Sequence, residues 1–202
     1  MMLRRLVMLC LVLLLSGCMS QPSAPMRYFV LDEALPHAEY ARTQEHHRLV
    51  LQPLRLANYL SQPNLPMRLS SHEVYYSPNH SWAEPLSKGF AKALLHDLNA
   101  AMSSPWVALS YRDPAADNDT VQLLVELDHF VATEDGNCIV DGVFWLQSAQ
   151  GDVLLKRGFH YQDELAQGGF DNAITQLRQS VTRLARDITL ALDQQTGNND
   201  GH

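Results

Sequence analysis

The chain has 202 residues, with 15 basic and 22 acidic side chains and a formal net charge of −7 at pH 7. An acidic surface repels phosphate, so nucleic acid and bare anionic headgroups are not expected as general partners. A chain of this length can bury one hydrophobic core, and we expect a single domain.

Residues 1–17 have the parts of a secretory signal: a basic start at Arg4-Arg5, an apolar run over residues 6–15 and small residues before a cysteine. The apolar run is too short to span a bilayer, which takes about 20 apolar residues. Leu15-Ser16-Gly17-Cys18 matches a lipobox, the motif in which the cysteine receives a lipid before cleavage. The alternative, a chance cysteine in an ordinary signal, does not account for the spacing and the flanking residues.

Cys18 is therefore predicted to be the lipidated N-terminus of the mature chain, carrying diacylglycerol and an N-acyl chain such as palmitate. Several acyl chains on one residue make a lasting anchor. Met19 follows the cysteine where an Asp would favour retention in the inner membrane, so we expect the periplasmic side of the outer membrane. No other cofactor is expected.

Residues 18–26 are predicted to be the lipidated N-terminus and a tether, because they contain two prolines and no apolar period. One globular domain is predicted over residues 27–193 and a disordered tail over 194–202. Since Cys10 leaves with the signal and Cys18 is lipidated, Cys138 has no internal disulfide partner. Its neighbours Ile139 and Val140 favour a buried structural thiol over a reactive one.

In the first half of the chain, apolar and aromatic runs predict strands at residues 28–31 and 48–54, joined by an irregular segment. Residues 58–68 are punctuated by prolines and are predicted to be an extended loop. This loop leads into a short strand near 67–70, which is expected to form a hairpin with a strand at 73–76.

A helix is predicted to begin at Ser81-Trp82-Ala83-Glu84, which has the pattern of a capping box. Its apolar residues recur every three or four positions and form one face. These residues are Leu86, Phe90, Ala93, Leu94, Leu98 and Ala101. Ser103-Ser104-Pro105 is expected to end the helix.

Three long β-runs at about 120–134, 138–148 and 152–164 are separated by turn signals and predict an antiparallel meander. A second amphipathic helix begins near Phe170-Asp171 and should pack on the sheet; a coiled coil is the weaker alternative. The predicted fold class is α+β, sandwich-like, with a mixed, largely antiparallel sheet and two principal amphipathic helices.

The search for chemistry finds no catalytic or metal motif. None of the nine histidines belongs to an HExxH or similarly spaced pair. Asp128 and His129 are strand neighbours that should face apart and be solvated, and Gly168-Gly169 lacks the lysine of a phosphate loop. We therefore predict neither an enzyme nor a metal site.

The remaining candidates are apolar, aromatic and basic residues that could contact a partner. The proline-rich segment is favoured because such loops bury little of themselves, although packing in the core is the alternative for each apolar residue. The candidate partner-binding residues are Tyr59, Leu60, Pro63, Leu65, Arg68 and Trp82.

These features together resemble the PqiC (YmbA) family of ABC-type transport auxiliary lipoproteins. The resemblance rests on the lipobox, Tyr28-Phe29-Val30-Leu31, Tyr59-Leu60 with Pro63, Met67-Arg68, and above all Trp82-Ala83-Glu84-Pro85-Leu86. The chain has Gln62 where the family pattern has a basic residue, so no charged role is assigned there.

The resemblance implies a lipid-anchored domain under the outer membrane. It would act with an MCE-domain protein that forms a tunnel across the periplasm and with an inner-membrane partner. The implied process is lipid transport between the membranes, with a homo-oligomeric ring as one arrangement at the tunnel end. The alternative hypothesis is a stand-alone periplasmic lipid-binding or chaperone lipoprotein, which would need an apolar cavity.

Overall fold

The computed structural model describes residues 24–31, 47–102, 106–113 and 120–199. The predicted signal, Cys18, most of the tether and the end of the predicted tail lie outside these residues. The described residues form nine strands, one 3-10 helix and two long helices. The strands are β1 (Arg27–Phe29), β2 (His47–Leu51), β3 (Arg55–Leu56), β4 (Asn64–Ser70), β5 (Glu73–Trp82), β6 (Trp106–Ser110), β7 (Thr120–Thr133), β8 (Asn137–Gln147) and β9 (Val153–Glu164). The helices are the 3-10 turn Asn58–Ser61, α1 (Leu86–Ala101) and α2 (Phe170–Asn199).

The predicted meander is confirmed. β7, β8 and β9 pair in antiparallel order along almost their whole length, with Leu124 opposite Trp145 and Trp145 opposite Lys156. Long strands with alternating buried and exposed residues suit a sheet that has one face on the core. The α+β class, the mixed sheet and the two principal helices are as predicted. The two longest strand pairs, β7–β8 and β8–β9, are antiparallel, whereas five of the eight pairs among the described strands are parallel.

β7 organises the rest of the sheet. Its other edge pairs in succession with β2, β3 and β4, all in parallel. β2 continues to β6, whereas β4 pairs with β5 in the predicted hairpin and β5 pairs with β1. Among the described strands, β1 and β9 therefore lie at opposite edges of the sheet.

Both helices pack on one face of the sheet and against each other. Most apolar residues of α1 from Leu86 to Leu98 are buried, and most of those of α2 from Ala173 to Leu192 are buried with them, whereas Leu190 of α2 is exposed. Phe130 of β7 lies at the centre of this core, with its ring edge-on to Phe90 at 5.5 Å. Burial of this many apolar side chains is the main stabilising term for the domain.

The predicted capping box is wrong. Ser81 and Trp82 are the last residues of β5, and the Ser81 hydroxyl donates to the Pro63 carbonyl at 2.8 Å. α1 begins only at Leu86, after Pro85, and no side chain caps its first amides. Glu84 instead forms an ion pair with Lys92 at 2.7 Å. Pro85 is the N-cap residue, with an extended ψ of 130°, and its carbonyl accepts from the Lys88 and Gly89 amides, so the first helical turn begins directly after it.

The other boundaries differ at the ends of elements. β4 begins at Asn64 and β5 continues to Trp82, so much of the predicted loop is strand. α2 continues to Asn199, past Asp193, where we predicted disorder. The Cys138 thiol is buried as predicted, and it contacts the Ala173 carbonyl of α2 at 3.6 Å.

Candidate interaction surface

Three of the candidate partner-binding residues belong to the core. Leu60, Leu65 and Trp82 are at most 7% exposed. The Trp82 ring lies 6.2 Å from Phe130, in the cluster that α1 covers. Their burial favours the core-packing alternative, because a partner could reach them only after local opening of the domain.

The other three candidates reach the surface. Pro63 is exposed, and Arg68 is half-buried with its Nε donating to the Ser70 carbonyl at 3.2 Å. Tyr59 is half-buried and donates its hydroxyl to the Asp128 carbonyl at 3.0 Å, while the Tyr76 hydroxyl donates to the Tyr59 carbonyl at 3.0 Å. These bonds fasten the 3-10 turn to β5 and β7.

Burial raises the pKa of the Tyr59 phenol, and the nearby Asp141 carboxylate raises it further. Both effects disfavour the phenolate, so the hydroxyl is neutral and remains a hydrogen-bond donor at physiological pH. The single proton of the Tyr59 hydroxyl stays engaged with the Asp128 carbonyl, so toward a partner its oxygen can only accept.

Next to Tyr59, the face of the sheet away from the helices carries two histidines on one carboxylate. His129 Nδ1 lies 2.9 Å from one Asp141 oxygen, and His160 Nδ1 lies 3.3 Å from the other. A β-bulge between Leu127 and His129 turns the His129 side chain to this face. Sequence reasoning missed the cluster, because its members come from three strands and share no local motif.

The same face carries a tryptophan between two cations. The Arg55 guanidinium lies 5.9 Å and the Lys156 ammonium 5.1 Å from the centre of the Trp145 ring. Such contacts hold long basic side chains against the ring and are worth about 0.5–1 kcal/mol each when exposed. The face is therefore polar and basic as well as aromatic.

A cavity of about 470 Å³ lies at the end of this face, between the β4–β5 turn and the β7–β8 turn. Its lining includes Arg68, Ser70, Thr133, Glu134 and Gln162. Because most of these lining side chains are charged or carry a hydroxyl, the cavity suits water or a polar group better than an acyl chain.

The arrangement does not form a recognisable catalytic or metal centre. Within the described ranges, no three side chains of His, Cys, Asp or Glu are placed to hold a metal ion. The histidine pair is held by hydrogen bonds to Asp141, which orients the rings on the surface. What the face offers is hydrogen-bonding and aromatic contact area.

The comparison with protein families decides what kind of protein this is. The model of the ABC-type transport auxiliary lipoprotein component matches residues 29–189, which is nearly all of the folded domain. The chain belongs to this family. None of the curated proteins matches the sequence of the auxiliary lipoprotein.

Two crystal structures share the fold of the auxiliary lipoprotein. One is of an uncharacterized protein, with 20% identity and a TM-score of 0.70, covering 84% of this chain and 99% of that chain. The other is of a Xanthomonas campestris protein of the DUF330 family, with 11% identity and a TM-score of 0.67. It covers 89% of this chain and 100% of that chain. At these identities the likeness concerns the fold alone.

The family is defined by its role in transport and by its lipoprotein nature, not by a reaction. In the part of the chain that the structure describes, neither α1 nor α2 is long and apolar enough to cross a membrane.

Proposed function

We propose that this auxiliary lipoprotein is the outer-membrane component of an MCE-type intermembrane lipid transport complex. It docks the periplasmic tunnel to the outer membrane and so supports membrane integrity. The observation that carries the proposal is the family match over residues 29–189, which makes the chain an auxiliary component of a transport system. The lipobox at Cys18 supports the anchored location.

The short tether supports a docking role. β1 begins at Arg27, so few residues separate the folded domain from the proposed lipid on Cys18. A fully extended chain spans at most about 3.6 Å per residue, which holds the domain within roughly 30 Å of the membrane. A component that joins a tunnel to the membrane needs this proximity.

The open sheet face supports a protein partner. Tyr59, the histidine pair on Asp141 and Trp145 lie on a face that neither helix covers. Aromatic residues are enriched at protein–protein contact surfaces. We therefore place the contact with the MCE-domain protein on this face, with Tyr59 and Arg68 at its margin.

In vivo photo-crosslinking tests the proposal. A photoreactive amino acid in place of Arg68 or His160 is expected to capture an MCE-domain protein in intact cells, whereas one in place of Leu190, which is exposed on α2, is the control. Deletion of the gene is expected to raise sensitivity to detergent. If no MCE-domain protein is captured from either position and the deletion leaves detergent resistance unchanged, the proposal is wrong.

We further propose that copies of the domain form a ring at the tunnel end, because MCE proteins are ring assemblies and cyclic symmetry lets one subunit type close them. Native mass spectrometry at micromolar concentration is expected to show a closed oligomer. A purely monomeric mass would contradict this part of the proposal.

A stand-alone lipid carrier is less well supported by the described residues. Such a carrier needs an apolar cavity for its ligand. The cavity beside Arg68 has a polar lining that includes Glu134 and Asp135, and it suits an acyl chain poorly.

A further inference from the structure

Large apolar side chains are exposed along one edge of the sheet. Met26, Tyr28 and Val30 are 45%, 68% and 58% exposed, although Leu31 directly after them is buried. In an extended chain, alternate residues point to the same side, so these three side chains share one side of β1. β1 is the outermost strand here, and β5 is its one partner among the described residues.

The start of β5 continues this apolar edge. β1 pairs in parallel with His80, Ser81 and Trp82, the last residues of β5. The earlier residues of β5 therefore lie before the start of β1 and have no described strand on that side. Val74 lies there, 36% exposed, on the side of β5 opposite its neighbour Tyr75. We call Met26, Tyr28, Val30 and Val74 the β1 edge strip.

The chain path connects the strip to the anchor. β1 is parallel to β5, so the residues that precede Arg27 lead back toward the start of β5. Residues 24–26, the described end of the predicted tether, therefore lie along the strip. A flexible segment of eight residues such as 19–26 has a root-mean-square length of about 16 Å, less than the width of the sheet, which favours this edge near the lipid.

The opposite edge of the sheet lies farther from the anchor. β5, β4, β7 and β8 separate β1 from β9, and at about 4.8 Å per strand the two edges are about 24 Å apart. β9 exposes Lys156 and Arg157 and, at its start, the apolar Val153 and Leu154. The two edges therefore differ chiefly in their distance along the chain from Cys18.

We propose that the β1 edge strip lies on the phospholipid surface that holds the Cys18 anchor, so that β9 points away from the membrane. Tyrosines place their rings at the level of the headgroups with the hydroxyl toward water, and valine and methionine beside them enter the outer acyl region. The contact is apolar, as expected for an acidic chain. This inference rests on the lipid anchor in the proposed function.

Fluorescence quenching in vesicles tests the orientation. The full lipidated chain, with Tyr28→Cys or Val30→Cys labelled by an environment-sensitive dye, is reconstituted into phosphatidylethanolamine vesicles that contain some phosphatidylglycerol. Leu154→Cys, 43% exposed at the start of β9, is the matched control. Cys138 is buried and does not compete for the dye.

We expect emission at positions 28 and 30 to shift to the blue and to be quenched by spin-labelled lipid severalfold more than at position 154. Equal quenching at both edges would overturn the proposal. A blue shift at position 28 without lipid quenching would also overturn it, and would make the strip an interface between copies of the chain.

A second measurement separates this inference from the docking function. The double variant Tyr28→Ser, Val30→Ser is expected to keep its capture of the MCE-domain protein through His160, because that residue lies on β9, at the opposite edge of the sheet. Its lipid quenching, read from a label at position 74, is expected to fall severalfold. Unchanged quenching in the double variant would refute the strip as the lipid contact, whatever the capture result.

Discussion

At the scale of single residues, one buried ion pair joins the two helices. Both oxygens of Asp97 on α1 accept from the Arg178 guanidinium, at 2.5 and 2.7 Å, and the Thr182 hydroxyl also donates at 2.7 Å. Asp97 is only 7% exposed. Such a pair costs desolvation energy to form, but removal of the carboxylate leaves the largely buried guanidinium without the Asp97 counter-charge.

Replacement of the Asp97 carboxylate is therefore expected to destabilise the domain strongly. Asp97→Ala should lower the free energy of unfolding by about 3–5 kcal/mol, measured by urea denaturation. The control is Lys92→Ala, which removes an ion pair to Glu84 whose lysine side chain is 57% exposed. Exposed pairs contribute about 0.2–1 kcal/mol, so the control should change little. Similar losses in both variants would contradict the argument.

The buried thiol and phenols predict a loss of stability in alkali. Burial raises the pKa of Cys138 to about 12, and burial also raises the pKa of Tyr59 and Tyr161. The folded protein therefore keeps protons that the unfolded chain releases above about pH 8.5 for the thiol and about pH 10 for the phenols. These groups do not change the free energy of unfolding below about pH 8.5. They lower it as the pH rises toward the folded pKa values, because only the unfolded chain releases its protons there.

We expect the urea midpoint to fall from about pH 8.5 upward, with the first part of the fall absent in Cys138→Ala. Maleimide should not label Cys138 in the folded protein at about pH 7.5–8. In urea it should label the thiol at the rate of an exposed cysteine. Labelling of the folded protein at the same rate would show an accessible thiol.

At the scale of elements, local patterns predicted what local residues determine. The meander, both helical stripes and the β4–β5 hairpin follow from alternation and turn residues. The order of β2, β3 and β4 along β7 cannot be predicted in this way, because no local pattern indicates which edge a parallel strand will join. The capping box failed because the pairing of β5 with β1 and β4 extended the strand through Ser81, overriding the local helix signal.

The β-bulge in β7 depends on one glycine of β8. Gly142 lies opposite Leu127, where the register shifts, and a Cβ there would come 2.0 Å from the Glu126 carbonyl oxygen. No atom of that backbone can move aside without breaking the β7–β8 pairing. Gly142 is thus the residue that lets His129 turn toward Asp141.

Gly142→Ala is expected to unfold the domain or to lower its free energy of unfolding by at least about 3 kcal/mol, measured by thermal denaturation. Gly158→Ala is the matched control in β9, because a Cβ there would lie at an ordinary 3.8 Å from the Gly142 carbonyl oxygen. It should stay within about 1 kcal/mol of the parent. A tolerated Gly142→Ala would mean that the bulge can be removed at little cost.

At the scale of the whole molecule, the family was recognisable from sequence, whereas the surface was not. Trp82-Ala83-Glu84-Pro85-Leu86 identified the family, yet Trp82 itself lies in the core. The motif is thus explained by packing under α1, not by exposure. The histidine pair on Asp141 and the β1 edge strip could not be read from sequence, since both arise from strands brought together only by the sheet.

The tether predicts a test on the whole protein. Insertion of about 30 flexible residues after Ser20 lengthens the tether from about 16 Å to about 34 Å, as a root-mean-square length, and should impair a docking component, measured as lost detergent resistance. A carrier that diffuses freely would tolerate it. The control is a substitution of residues 19–24 by an equally long Gly-Ser segment, which should keep function. Full resistance with the long tether would argue against docking.

The position of β7 along the chain has a consequence for how the protein reaches its folded state. β2, β3 and β4 all find their sheet neighbour in a strand that is synthesised after them, as in the pairing of Arg48 with Thr120. Contacts so distant in sequence form slowly, because a long loop must close before they stabilise the fold. The N-terminal half therefore cannot complete its sheet until residue 133 is available. For a chain that we propose is exported before it folds, this delay would keep the lipobox accessible to the processing enzymes.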